Sequence, residues 1–304
     1  MKKKLLIAGG SGLIGTAISE KALQEGWEVT LLSRSGGPGR IVWNPQESAI
    51  QLEESKSFDA IINLAGSSIA GGRWTGKRKK DIVDSRVQGC NTLQKYLQSG
   101  LLTTGVYIGA SAIGIYGDRT NEPVDESTPV GPGKDWMSNT VQEWEAGHSR
   151  IQALGIQTIV LRIGIVLSRK GGALPEMLRT ASLGILGYFG NGRQVWPWIH
   201  IDDLVCIFLQ AAGDEHMQGV YFAGSPNPVT NKAMTIAAAK AYSPHRLVIP
   251  VPTMMLAILL GEMRQMLLQS CSGRPVRLLK EGFKFRYDDI AKAMDHLISR
   301  KTAE

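Results

Sequence analysis

The strongest chemical signal in the chain is Ala8-Gly9-Gly10-Ser11-Gly12-Leu13-Ile14-Gly15. It follows a short β-rich run, Lys4–Ala8, and opens a helical pattern near 13–25, the context in which G-x-G-x-x-G is informative. Gly10 is expected to make the tight turn, Gly12 to let the backbone approach a pyrophosphate, and Gly15 to let helix and strand pack closely. The helix N-terminus would present unpaired N–H groups and the positive end of its dipole to the phosphates. The next β-rich run ends in Leu31-Leu32-Ser33-Arg34-Ser35-Gly36-Gly37. A fold that prefers NAD places an acid here, on the ribose 2′-hydroxyl, and this stretch has none. Arg34, with Ser33 and Ser35 as donors, can instead neutralise a 2′-phosphate through charge-assisted hydrogen bonds worth about 2–3 kcal/mol. The implied cofactor is NADP(H).

Other chemistries find little support. The three cysteines, Cys90, Cys206 and Cys271, are odd in number and widely spaced, so neither a zinc pattern nor a disulfide framework follows, and a reducing cytosol is the default. Basic residues outnumber acids 34 to 27, with local runs at Arg73–Lys80 and Arg264–Arg286. Without interleaved aromatics as a base-stacking platform, these runs read as solvated helix faces, not as a nucleic-acid surface. Lys2-Lys3-Lys4 before Leu5–Ala8 imitates a secretory start, but Gly9-Gly10 ends the apolar run after four residues. No stretch approaches the roughly 20 apolar residues needed to cross a bilayer. A cytoplasmic, soluble protein is expected.

The elements that must position the glycine turn are legible as alternation. Lys4–Ala8, Glu28–Ser33, Asp59–Leu64, Gly105–Ser111 and Gln157–Ile163 are short β-rich runs, with helical patterns near 13–25, 75–98 and 138–153 between them. Continuous apolar strands alternating with helices imply an α/β fold, a doubly wound parallel Rossmann sheet covered on both faces. After about residue 165 the rhythm becomes Gly-rich and then mainly helical. Residues 1–165 are expected to form the cofactor domain, rejoined by 198–224. Residues 166–197 and 225–304 are expected to make a smaller substrate lobe. The amphipathic segment 252–269 either packs inside that lobe or faces a second subunit.

The combination Gly9–Gly15, Asn63-Leu64-Ala65-Gly66, Tyr116-Gly117 and Trp198-Ile199-His200-Ile201-Asp202-Asp203-Leu204 resembles the extended short-chain dehydrogenase/reductase superfamily. More narrowly, Arg73-Trp74-Thr75, Ser85-Arg86-Val87, Gly190–Gln194, Pro226–Asn231 and Gly282–Arg286 resemble its "epimerase family protein" branch. These are nucleoside-diphosphate-sugar-epimerase-like proteins with their own C-terminal domain. The resemblance implies a Rossmann core, a small C-terminal substrate lobe, NADP at the glycine turn, and Leu64, Ala65 and Gly66 lying along the cofactor.

The chain departs from that superfamily where catalysis occurs. No Tyr-x-x-x-Lys exists anywhere, and Trp136-Met137-Ser138-Asn139-Thr140 stands where it should fall. The Ser expected four residues before Tyr116 is Ala112, with Ser111 one position off, and the Asn of the fourth helix corresponds to about Arg86. His200, Tyr116 and Ser111 are the candidate replacements for the lost proton donor. Asp202 and Asp203 read as an N-cap pair, and His148, His216, His245 and His296 fall on helix or loop surfaces by pattern. On the substrate side, Arg73, Arg86, Arg193 and Gln194 could converge on an anionic group, with Trp136 and Trp198 lining an aromatic pocket. No metal site is expected. Two functions stay open: an NADP(H)-dependent oxidoreductase or epimerase-like enzyme with a non-standard active site, or an NADP-binding regulatory or interaction protein without turnover.

Overall fold

The computed structural model describes residues 2–299 apart from 121, 134 and 244. Strand β1 (Lys4–Ala8) shows why the main sheet forms as it does. Leu5, Leu6, Ile7 and Ala8 are all fully buried, so the strand needs apolar cover on both faces. Leu5 and Ile7 pack with Ile18, Ile207 and Phe208, whereas Leu6 and Ala8 pack with Leu93 and Leu97. The first group comes from helices α1 (Leu13–Gln24) and α5 (Ile201–Gly213). The second comes from α2 (Gly76–Gln98), which lies against α3 (Trp136–Gln152).

Six strands of the large sheet precede α3: β1, β2 (Glu28–Ser33), β3 (Arg40–Asn44), β4 (Ala49–Ile50), β5 (Lys56–Asn63) and β6 (Leu102–Ala112). The large sheet has eight strands, ordered Gly219–Ala223, Gln157–Ile163, β6, β5, β1, β2, β3, β4. All neighbours run parallel except the β3–β4 pair. The order reverses between β1 and β5, which opens a crevice outside their carboxyl ends. The edge made by β3 and β4 is not announced by periodicity. Only Trp43 of β3 and Ile50 of β4 are buried, too few to write an alternation.

The remaining segments build a second core around Leu167, Leu174, Leu186, Trp196, Trp198, Met234, Met294 and Leu297. The apolar run 195–199 is divided by Pro197. Val195–Trp196 pairs with Val229–Thr230, and Trp198–His200 pairs with Ile165–Leu167. The segment 252–269 is broken too, by Gly261 at φ 58°, into helices Thr253–Leu260 and Arg264–Leu268. Among the described residues no helix is long and apolar enough to cross a membrane.

Candidate functional site

The glycine turn sits at the mouth of the crevice. Gly9, not Gly10, supplies the left-handed backbone, with φ 80°. A Cβ on Gly9 would stand 2.8 Å from the Leu64 carbonyl, so the first turn and the Leu64-Ala65-Gly66 turn press together. A Cβ on Gly15 would stand 2.5 Å from Gly9 O and 2.6 Å from Gly10 Cα, which is the close helix–strand approach expected there. A Cβ on Gly10 would stand 2.5 Å from Leu31 Cδ2, so any side chain there would push the Leu31 side chain aside. Gly12 is the N-cap of α1 and has no side-chain cap, so the amides opening at Leu13, Ile14 and Gly15 face the crevice without a capping oxygen, beside exposed Ser11. Such a cradle fits a pyrophosphate.

Arg34 lies just past the end of β2 and is exposed, without a hydrogen-bond or ion-pair partner among the described residues. Ser35 N–H donates to Ser33 Oγ at 3.3 Å, shaping that turn. On the other side of the crevice, Leu64 N–H donates to Ala8 O at 2.9 Å and Ala65 N–H to Asn63 Oδ1 at 3.1 Å. Asn63 is itself fixed from within: its Nδ2 donates to Tyr107 Oη at 2.9 Å, Tyr107 donates to His148 Nδ1 at 2.9 Å, and His148 Nε2 donates to Ala110 O at 2.9 Å. Burial holds the His148 pKa down at about 4, so the ring is neutral and can accept the tyrosine proton. Gly109 admits the imidazole, since a Cβ there would lie 2.5 Å from it. The surface position expected for His148 is therefore corrected: the ring is fully buried and, through Tyr107 and Asn63, braces the Leu64-Ala65-Gly66 turn.

At the carboxyl edge of β6, Ser111 Oγ donates to Glu145 Oε1 at 2.5 Å. Arg162 grips the same carboxylate with both arms, Nε to Oε1 and Nη2 to Oε2, each at 2.8 Å. Its third nitrogen donates to Tyr116 Oη at 2.9 Å. Burial disfavours the Arg162 charge, but the Glu145 carboxylate and Tyr116 outweigh it, and the net shift is upward. The sequence reading passed over this ion pair. Its signal was a lone Arg inside the continuous apolar strand Gln157–Ile163, which a buried strand tolerates only when the charge is paired.

Other expected site residues are placed differently. Tyr116 is 1% exposed, donates to Asp125 O at 2.8 Å, and burial pushes its pKa up to about 12. Its hydroxyl braces the loop and is not poised to give a proton. His200 is fully buried in the second core, stacked on Tyr287 with centroids 3.8 Å apart. Its Nδ1 accepts from Asp202 N–H at 3.0 Å and its Nε2 meets His296 Nδ1 at 3.1 Å. The ring thus caps α5, and burial lowers its pKa to about 4. Asp202 and His296 lie close enough to complete a metal cluster with it, but both His200 nitrogens are already engaged. His296 is half-buried in this contact, not a surface residue.

Among the substrate candidates, Trp198 is fully buried with its indole N–H on Asn227 O at 3.0 Å. Gln194 is buried, bridging Phe189 O and Leu267 O at 3.1 and 3.0 Å. Arg73 donates to the carbonyls of Ile258 and Leu259, closing a helix end. Arg86 donates to Ser67 O at 3.1 Å and Ile82 O at 2.9 Å, stacks over Trp144, and is lowered by burial and by Arg78 to about 10. These four are structural braces. Trp136 packs edge-on against Trp74 at 4.7 Å, with Met137, Met263 and Met266 beside it. Arg193 is exposed with no partner for its guanidinium among the described residues, beside a hollow of about 610 Å³ lined also by Asn191, Gly192, Thr230 and Lys232.

The reversed strand order and the glycine-walled first turn define a Rossmann-type α/β protein with an appended lobe. Residues 5–224 match the NAD dependent epimerase/dehydratase family, and the chain belongs to it. Residues 251–297 match a domain of unknown function, DUF1731. The epimerase family protein SDR39U1 of Mus musculus is 34% identical over 97% of this chain and 100% of its own length. Epimerase family protein YfhF of Bacillus subtilis is 34% identical over 98% of this chain and 99% of its own. Human SDR39U1, crystallised with NADPH, superposes with a TM-score of 0.90 at 32% identity, covering 97% of this chain and 99% of that one. A UDP-N-acetylglucosamine 4-epimerase from Bacillus cereus shares the fold, with a TM-score of 0.74 at 17% identity over 99% of this chain and all of its own.

Proposed function

We propose that the chain is an NADP(H)-dependent oxidoreductase or epimerase-type enzyme acting on an anionic carbonyl or hydroxyl compound, with nucleotide sugars among the candidate substrates. The observation that carries this reading is the glycine turn at Gly9–Gly15, which leaves the amides opening α1 without a side-chain cap, together with the partnerless Arg34 at the end of the adjacent strand β2. The NADPH held by the human relative supports it. The cofactor would supply hydride transfer at its nicotinamide. The chain's own part is to hold and orient. Amides opening α1 take the pyrophosphate, Arg34 with Ser33 and Ser35 takes the 2′-phosphate, and Leu64-Ala65-Gly66 lines the other wall, stiffened by Asn63, Tyr107 and His148. Residues 1–165 with 198–224 would form the cofactor unit. Segments 166–197 and 225–304 would form the substrate lobe, of which 300–304 lie outside the described residues. Arg193 and Lys232 at the hollow are the cations available to an anionic substrate.

Ser111 is the hydroxyl best placed to replace the missing phenol. In the oxidising direction it would take the proton of a substrate hydroxyl while passing its own to Glu145, which Arg162 holds in place, and in the reducing direction the same two transfers would run backwards. One observation favours the second reading, binding without turnover. The hydroxyls of Ser111, Tyr116 and Thr140 all donate inward, to Glu145, Asp125 O and Trp136 O. The two are separated by following NADPH oxidation across a broad panel of carbonyl compounds. Turnover that falls by roughly 10²-fold or more in Ser111→Ala supports the proton role. Silence of the folded, NADPH-binding wild type throughout the panel, with no epimer formed from nucleotide sugars, moves the assignment to the non-enzymatic reading.

A further inference from the structure

Eight of the twelve strongly exposed large apolar side chains among the described residues sit on one part of the small lobe: Leu183, Ile185, Leu247, Ile249, Met254, Met255, Ile258 and Leu259. They are contiguous in structure. Ile185 pairs with Leu247 across two parallel strands, Ile249 follows on the same strand face, and that strand runs through Pro252 into helix Thr253–Leu260. On the helix, positions 254, 255, 258 and 259 share one face and are between 50% and 73% exposed, while Leu256 on the opposite face is buried.

The rim of this face is basic. Arg73 closes the helix by donating to the Ile258 and Leu259 carbonyls, and Lys79 pairs with Glu262 just beyond it. These contacts bring the N-terminal turn of α2, with exposed Lys77, alongside the apolar face, while Lys80 is paired with Asp84. Arg264 is exposed on the following turn, and Arg246 precedes Leu247 on the other side. Glu262 is the only acid between residues 245 and 275, and none lies between 71 and 80.

We propose that this face docks the protein onto an anionic membrane surface, the apolar helix and strand face entering the headgroup boundary and the basic rim meeting lipid phosphates and carboxylates. An apolar patch framed by Lys and Arg is the composition that peripheral lipid binding requires. Self-association is the weaker occupant, because a two-fold contact would set the basic rim of one copy against that of the other. The mode is peripheral and consistent with the lack of a spanning helix among the described residues.

The test is co-sedimentation of the full chain with vesicles of phosphatidylcholine alone and with about one third phosphatidylserine, at low and raised salt. The proposal expects partitioning on the order of tenfold stronger on the anionic vesicles, weakened by salt. It also expects a loss of roughly tenfold or more in Met254→Asp/Ile258→Asp and in Lys77→Glu/Arg264→Glu. Should a variant misfold, hydrogen exchange of the wild type decides instead: anionic vesicles should protect amides within 247–260. Equal partitioning on both vesicle types overturns the proposal. So does sedimentation showing a wild-type dimer that Met254→Asp/Ile258→Asp converts to monomer.

Discussion

Arg34 follows β2 with its guanidinium exposed and unpaired among the described residues, so no other side chain competes with an arriving anion for its donors. That sets it apart from Arg73, Arg86 and Arg162, whose donors are already spent on carbonyls or on Glu145. Charge type alone made all of the basic candidates look alike, and only the hydrogen-bond partners separate a ligand-binding Arg from a brace. Arg34→Asp is therefore expected to weaken NADPH binding by roughly tenfold or more, about 1.4 kcal/mol per decade, with NADH affected less and melting temperature unchanged. Isothermal titration of both nucleotides checks it, and equal losses would remove Arg34 from the 2′-phosphate. The same distinction applies to the hydroxyls and imidazoles. Tyr116 and His200 have suitable chemistry by type, but burial and committed partners make them structural.

Between elements, the Arg162–Glu145 pair joins the strand Gln157–Ile163 to α3, with Ser111 of β6 completing the contact. Both partners are nearly buried, so removing one strands the other. Arg162→Met should destabilise the protein by about 3–5 kcal/mol, whereas Arg162→Met/Glu145→Leu should recover much of that loss. Urea unfolding of the three proteins reads the difference; a double variant no more stable than the single one would contradict it. The strands Lys4–Ala8 and Gln157–Ile163 were legible to the residue because a parallel strand buried on both faces writes a mostly apolar run. The edge strands β3 and β4 write no such run, and Pro197 splits what reads as one strand into two differently paired ones. The glycine turn was legible because its spacing is a backbone requirement. The assignment of the left-handed position to Gly10 was not, since Gly9 and Gly10 are both glycine and only the path of the chain against Leu64 chooses between them.

Across the whole molecule, two cores meet at the strand Trp198–His200 and α5, and each contains an imidazole held neutral by burial: His148 in the first and His200 in the second. Their pKa values, each about 4 in the folded chain, lie below the unfolded value of 6.5. As pH falls from about 6.5 to 4 the unfolded chain takes up protons that the folded chain refuses, so stability falls with pH across that window. For His148 alone the loss approaches about 3 kcal/mol at the acid end. Melting temperatures between pH 8 and 4.5 should decline through that window, and less steeply in His148→Gln; identical slopes would reassign the acid sensitivity. The crevice between β1 and β5 is the proposed cofactor site, and titration of the wild-type protein with NADPH and NADH, followed by nucleotide fluorescence, tests that proposal most directly. Saturable NADPH binding at least tenfold tighter than NADH is the predicted result. No saturation by either nucleotide, or equal affinity for both, would contradict it.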